Sequence, residues 1–315
     1  MPTNKLKIFY GNAHPELAVE ITNYLGESPG RAKVTQFKDG ETNVLIDESV
    51  RGADVFVIQP TCNPTNNNIM ELLILIDALR RASAMRITAV MPYYGYARQE
   101  RKARARDPIT AKLLANVITT AGADRVVNID LHAPAIQGFF DIPVDHLPGV
   151  PILAQHFIEK HMDNICVVSP DIGGVSRARS FAERIGASLA IIDKRRPEPN
   201  VAEIMHVIGD LEDKTVIMVD DIIDTGGTLT QGAAEILKNF GAREVYACCT
   251  HAVLSDPAIQ RLQDSDIKEV VVTNTIPVGE EKRIPKIKVL SVAPLLSEAI
   301  KRIHQDKSVS TLFDD

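Results

Sequence analysis

Tryptophan is absent from this chain, and aromatic residues make up only 5% of it. Its cores must therefore be built from Val, Ile, Leu and Ala, which suits helices packed on a parallel sheet better than an aromatic-rich all-β fold. Cysteine is scarce too. Cys62, Cys166, Cys248 and Cys249 form no C-x-x-C pair, and the last two sit inside an apolar run. That pattern describes reduced core thiols and argues against a disulfide framework or a zinc site. No apolar run approaches the roughly 20 residues needed to span a bilayer. The start, MPTNKLKIFYGN, lacks the apolar core and cleavage site of a leader. A cytosolic protein with no membrane partner is expected. Excess positive charge is also missing: the net charge is −6, so bulk charge points to no nucleic-acid partner. The motif G-x-x-x-x-G-K-[ST] is missing as well. Gly173-Gly174-Val175-Ser176 lacks its lysine, so the usual cradle for γ-phosphoryl transfer has no support.

What is present is an alternation. Apolar β-branched runs at Lys5–Tyr10, Val55–Gln59, Ile87–Met91, Val126–Ile129, Cys166–Ser169, Leu189–Ile192, Val216–Val219, Val245–Cys249 and Val270–Thr273 read as buried strands. Helical patterns at Pro15–Leu25, Ile69–Ala82, Ile109–Thr120, Ile152–Lys160, Ser176–Arg184 and Thr228–Phe240 separate them. Continuous apolar strands between helices predict mainly parallel sheets in doubly wound α/β domains. The 315 residues hold two domains of roughly 100–200 each. LPGVP at 147–151 marks the boundary, giving 1–148 and 149–304, with a polar tail at 305–315. A faint echo between TTAGADRVVNIDLH and AERIGASLAIIDKRR suggests two similar halves.

The strongest chemical feature is VIMVDDIIDTGGTLTQGAAEIL at 216–237. An apolar strand runs into Asp220-Asp221, then Asp224-Thr225-Gly226-Gly227-Thr228, then a helix. Small residues at such a turn let backbone N–H groups and a helix N-terminus face an anion. Asp220 and Asp224 would repel a phosphate, so they are expected to face sugar hydroxyls. Together these describe a pentose phosphate site. The bland alternative is Asp224 as a helix N-cap with glycines shaping a turn. Elsewhere, GYARQERKARAR (95–106) follows a Pro-Tyr-Tyr turn, a cationic loop beside aromatics that suits a nucleotide's phosphates and base. Read blandly, it is a solvated charge run. His132 and Asp171 each follow a strand, where doubly wound sheets place ligands. Lys194-Arg195-Arg196-Pro197 closes a strand and opens a Pro-rich basic segment.

VDDIIDTGGT resembles the phosphoribosyl diphosphate signature shared by type I phosphoribosyltransferases and phosphoribosyl pyrophosphate synthetases. Five further stretches resemble the synthetases: FKDGETNVLI (37–46), the segment 63–112, NIDLHAPAIQGFF (128–140), VVSPDIGGVSRAR (167–179) and IIDKRRPEPN (191–200). The chain is thereby identified as a member of the class I ribose-phosphate pyrophosphokinases over essentially its whole length. The resemblance implies two domains like type I phosphoribosyltransferase folds and transfer of the pyrophosphoryl group of ATP to ribose 5-phosphate. It implies Lys194 and Arg196 as the catalytic pair. ATP would contact Arg98, Gln99 and His132, with Asp39, Gly40 and Glu41 contributed by a neighbouring subunit. Thr225, Gly226, Gly227 and Thr228 would hold the 5-phosphate. His132 and Asp171 would be associated with Mg²⁺. It further implies a homo-oligomer, a hexamer built from dimers, with ADP and inorganic phosphate as effectors. Their site would combine Ser308, Ser310 and Thr311 of the tail with Arg51, Arg104 and Arg106. A phosphoribosyltransferase and a non-catalytic regulatory paralogue remain as alternatives. The synthetase-like Arg98-Gln99 and Lys194–Arg196 motifs count against the first, and intact His132, Asp171 and Lys194 against the second.

Overall fold

The computed structural model describes residues 5–195 and 204–313, and they form two compact units. In the first unit the chain runs β1 (Leu6–Tyr10), α1 (Pro15–Leu25), β2 (Ala32–Gln36), β3 (Thr42–Ile46), β4 (Asp54–Ile58) and α2 (Thr65–Arg81). It continues through β5 (Arg86–Met91), α3 (Thr110–Ala121), β6 (Arg125–Ile129) and β7 (Val144–Leu147). Strands β1-β4-β5-β6-β7 make a parallel sheet in that order, and β2 pairs antiparallel with β3 as a separate ribbon. Every residue of β4 is buried, as its unbroken DVFVI requires of a strand covered on both faces.

The second unit runs α4 (Val150–Glu159), β8 (Ile165–Ser169), α5 (Val175–Ile185), β9 (Ser188–Arg195), β10 (Ile204–Ile208) and β11 (Thr215–Ile223). It continues through α6 (Gly227–Asn239), β12 (Glu244–Ala252), α7 (Ala258–Asp264), β13 (Val270–Thr273) and β14 (Ile287–Leu290). Its sheet has the order β10-β9-β8-β11-β12-β13-β14, parallel except at β10–β9. Alternate residues feed two cores. Val216 and Met218 join the core that includes Leu229 and Ile236 of α6, whereas Ile217 and Val219 pack with Leu153, Phe157 and Phe181. Cys248 and Cys249 follow the same alternation, both fully buried, and burial pushes both thiols up. All four cysteines are free, as the sequence leads one to expect.

The final helix, α8 (Ala293–His304), departs from the sequence boundary at 304. Residues Ser291–Asp315 belong to the first unit rather than the second. The physical reason lies in α8's apolar face and in one ionic cluster. Leu296, Ala299, Ile300 and Ile303 are buried, and the Ser297 hydroxyl donates to Ile21 O of α1 at 3.3 Å. At the other end of the helix, Arg86 Nε and Nη2 donate to the two carboxylate oxygens of buried Asp54 at 2.8 and 2.6 Å. His304 Nδ1 lies 2.8 Å from the same carboxylate, and Arg86 Nη2 also donates to Ile303 O at 3.0 Å. Among the described residues no helix is long and apolar enough to cross a membrane.

Candidate active site

The order of the second sheet fixes where chemistry is possible. The chain winds one way from β8 to β9 and the other way from β11 onward, so the order reverses between β8 and β11. Open α/β sheets bind ligands outside the strands' carboxyl ends at such a reversal. Pairing of β8 with β11 ends at Val168 and Met218, and β11 continues five residues further to Ile223 with β12 alone beside it. That projecting end carries Asp220 and Asp221 and leads into Asp224. The β8 end opposite carries Asp171. The two motifs, 53 positions apart by number, are thus brought to one place.

The turn from β11 into α6 decides between cap and cradle. Gly226 occupies the N-cap with φ 72°, a left-handed conformation that favours glycine, and offers no side-chain hydrogen bond. Asp224 is therefore not the N-cap residue, while the glycines do shape the turn. First-turn N–H groups of a helix have no intrahelical partners, so this 13-residue helix presents uncapped donors. Thr225 and Thr228 are exposed beside them, while Gly226 is buried and Gly227 half-buried. Arg261 of α7 donates through Nη1 to Thr225 O at 3.0 Å, and a Cβ on Gly227 would meet that same nitrogen at 3.1 Å. An uncapped N-terminus beside a guanidinium suits a phosphate.

The acidic side of the site is electrostatically loaded. Asp221 is buried, and Asp220 keeps about a quarter of its side chain exposed. Burial and the adjacent Asp221 carboxylate push Asp220 up to about 8, against the pull of Arg177. Asp220 Oδ1 accepts from the Asp221 N–H at 2.8 Å. Asp171 is exposed; its Oδ1 accepts from Gly174 N at 2.8 Å, and Ser169 Oγ donates to Asp171 O at 2.7 Å. Lys194 is placed by its backbone on β9, opposite Met205. Arg196 lies outside the described residues.

In the first unit, Arg98 and Gln99 are exposed on the loop beyond β5, and this loop is built tightly. A Cβ on Gly95 would come within 2.3 Å of Thr61 O, so only glycine fits, and Gly95 N donates to Thr61 Oγ1 at 2.7 Å. Tyr93 and Tyr94 are buried, and the Tyr94 hydroxyl donates to Ala111 O at 2.8 Å. These two rings pack beneath the loop, and Tyr96, the third aromatic of the motif, is half-buried beside it. Gln99 is tied to α3: Ala111 N donates to its carbonyl at 3.3 Å. Asp39, Gly40 and Glu41 form the exposed turn between β2 and β3, with Gly40 at φ 92° and Glu41 N donating to Asp39 Oδ1 at 3.1 Å. His132 is exposed just past β6, and the preceding Leu131 N donates to His146 Nε2 at 3.0 Å. His146, on the polar strand β7, carries no sequence signal for this supporting contact.

The residues expected at the effector site are all surface groups of the first unit. Arg51, Arg104 and Arg106 are exposed, and Arg106 has φ 72°. Ser308 and Ser310 hydroxyls lie 2.8 Å apart, and residues Ser310–Leu312 form a short 3-10 turn. Arg302 of α8 donates to Ser308 O at 3.1 Å and to the Thr311 hydroxyl, so the tail folds onto the helix that precedes it.

Comparison with known proteins agrees with this architecture. Residues 6–122 match the N-terminal domain of ribose phosphate pyrophosphokinase, and residues 196–314 match the phosphoribosyl synthetase-associated domain. The ribose-phosphate pyrophosphokinase of Caldanaerobacter subterraneus subsp. tengcongensis is 65% identical, covering 99% of this chain and 98% of its own. That of Bacillus subtilis is 60% identical, covering 98% and 97%. The chain belongs to the ribose-phosphate pyrophosphokinase family. A crystal structure of phosphoribosylpyrophosphate synthetase from Mycobacterium smegmatis superposes with a TM-score of 0.91 at 47% identity, covering 96% of this chain and all of that one. The family fixes the fold as two α/β units with mainly parallel sheets. It does not by itself assign roles to the side chains described above.

Proposed function

We infer that this chain transfers the β,γ-pyrophosphoryl group of ATP to ribose 5-phosphate, giving 5-phosphoribosyl 1-pyrophosphate and AMP for nucleotide biosynthesis. The observation that carries the substrate assignment is the turn from β11 into α6. Acidic side chains end the strand and an uncapped helix N-terminus follows, matching hydroxyls and a phosphate on one small sugar. Thr225, Gly226, Gly227 and Thr228 hold the 5-phosphate, and Asp220 and Asp224 accept hydrogen bonds from the ribose hydroxyls.

The C1 hydroxyl attacks the β-phosphorus in line. A new O–Pβ bond forms, the bond from Pβ to the oxygen it shares with Pα breaks, AMP departs, and the hydroxyl proton is released. Positioning of this kind supplies roughly 7–11 kcal/mol of a barrier when both reactants are held in line. Arg98, Gln99 and His132, with Asp39, Gly40 and Glu41 of a second copy, bind the nucleotide. Lys194 and Arg196 neutralise charge developing on the transferred group. Among the described residues no three His, Cys, Asp or Glu side chains gather into a metal cage. That suits Mg²⁺, which keeps waters and substrate phosphates as ligands and takes one or two protein groups. Asp171 and His132 would hold it, and when bound it would supply charge neutralisation on the phosphate oxygens. A homohexamer, with ADP and inorganic phosphate acting through Ser308, Ser310, Thr311, Arg51, Arg104 and Arg106, completes the proposal.

Mixing the pure chain with Mg·ATP and ribose 5-phosphate and assaying AMP tests the reading. AMP should appear only when both substrates are present. Asp224→Ala should raise the KM for ribose 5-phosphate while sparing that for ATP. No AMP, or an unchanged KM, refutes the respective assignment.

A further inference from the structure

Arg177 enters none of the roles above, yet its guanidinium sits on the acidic pair. It projects from the first turn of α5, and its side chain is only 16% exposed. Nη1 lies 3.6 Å from Asp220 Oδ1 and 3.3 Å from Asp221 Oδ1, so one nitrogen serves both carboxylates. The Asp221 N–H holds the same Asp220 oxygen at 2.8 Å. Asp220 Oδ1 thus accepts one hydrogen bond and lies within ion-pair range of the guanidinium.

The placement is built into the local fold. Gly174 precedes the helix, and a Cβ there would come within 2.9 Å of Ser169 Oγ, so α5 starts close against the end of β8. That brings the helix's first turn, and Arg177 with it, over the projecting end of β11. Two adjacent carboxylates in a largely buried setting repel each other, and a guanidinium between them offsets that repulsion. Without it, Asp220 would hold its proton more tightly, in line with the upward push from burial and Asp221 already present.

We propose that Arg177 is a positioning residue that holds the Asp220–Asp221 pair in the orientation that accepts the ribose hydroxyls. The proposal rests on the reading of Asp220 as a ribose ligand. It gives the sugar site a specific requirement: a cation on helix α5 beside the acids that end strand β11.

The test is steady-state kinetics on the full chain with Arg177→Gln, Arg177→Lys, Asp220→Asn and the Arg177→Gln/Asp220→Asn double variant, each checked for folding by its thermal midpoint. Arg177→Gln should raise the KM for ribose 5-phosphate about tenfold or more and leave the KM for ATP within about twofold. Arg177→Lys, which keeps the charge, should raise it by about threefold at most. The double variant should be no worse than Asp220→Asn alone, because a residue that acts through Asp220 has nothing left to position. If Asp220→Asn leaves this KM unchanged, the ribose reading itself fails. If Asp220→Asn is impaired while Arg177→Gln is not, or if the two effects multiply, Arg177 is not a positioning residue. An Arg177→Gln chain that raises the KM for ATP instead also overturns the proposal. Should that variant not fold, Arg177→Met, which removes the charge and keeps the apolar stem, and its double with Asp220→Asn carry the same comparison, and a methionine variant with an unaltered KM for ribose 5-phosphate refutes it.

Discussion

Asp54→Ala tests what fastens the last helix to the first unit. The Asp54 side chain is 2% exposed and takes both Arg86 hydrogen bonds, with His304 Nδ1 2.8 Å away. Removing one partner of a buried ion pair costs about 3–5 kcal/mol, because the other charge is left without compensation. Here Arg86 is 24% exposed and retains its bond to Ile303 O, so water recovers part of that loss. The low end applies, about 3 kcal/mol. In a unit of roughly 175 residues each kcal/mol moves the melting midpoint by about 2–4 °C. The expected drop is therefore about 6–12 °C in the transition of the first unit, read by calorimetry on the full chain. Amide exchange should accelerate along residues 293–304 ahead of the rest of that unit, since α8 loses the anchor at its end. The double variant Asp54→Leu/Arg86→Met, which removes both charges and keeps apolar volume, should recover most of the loss. A drop under about 2 °C, with unchanged exchange in α8, would mean that apolar packing alone holds the helix and that the cluster is incidental.

Lys194→Ala and Arg196→Ala should each lower turnover about a hundredfold or more while shifting either KM far less, as expected of charge that acts in the transition state; near-normal turnover in the double variant contradicts this. Asp220 titrates near 8 in the folded chain against an ordinary 3.8, so between those values the unfolded chain has lost a proton that the folded chain keeps. Its contribution to stability is therefore lost as pH rises through that window. Asp220→Asn should flatten the fall in melting midpoint between about pH 4 and 8, modestly because a quarter of the side chain reaches solvent; identical pH profiles refute the assignment. Deleting residues 308–315 should weaken inhibition by ADP at saturating ATP, as should Arg104→Ala, with catalysis spared; purely competitive inhibition that ignores the deletion removes the effector role of the tail.

Most of the parallel strands were legible because burial on both faces writes them as unbroken apolar runs. DVFVI and VVVT need no long-range information to be read. Strands β2, β3, β7, β10 and β14 were not, because each lies in the ribbon or at a sheet edge and mixes polar with apolar residues: AKVTQ, VDHL and IKVL show no unbroken apolar run. That helix α8 belongs to the first unit was not legible in its own sequence. Asp54, Arg86 and His304 are separated by long stretches of chain, and nothing at any one of them announces the other two. The turn from β11 into α6 was legible as a turn, since it is local: Asp224 through Thr228 are consecutive, and Gly226 takes the left-handed conformation that glycine favours. Arg177 was not, although it lies in a motif that the sequence picks out. Its partners Asp220 and Asp221 reach it only through the register of β8 against β11, and an arginine on a helix reads as solvated surface. The same holds for Arg261 beside Thr225, which only the packing of α7 against the turn reveals.

The central claim is that the pyrophosphoryl group moves as one unit, and an isotope decides it most directly. ATP labelled at the β-phosphorus is incubated with the chain, Mg²⁺ and ribose 5-phosphate, and the products are separated. All transferred label should appear in the sugar pyrophosphate, with AMP unlabelled and formed in equal amount. Label recovered in ADP, with an unlabelled phosphorylated sugar, would show γ-phosphoryl transfer and contradict the account.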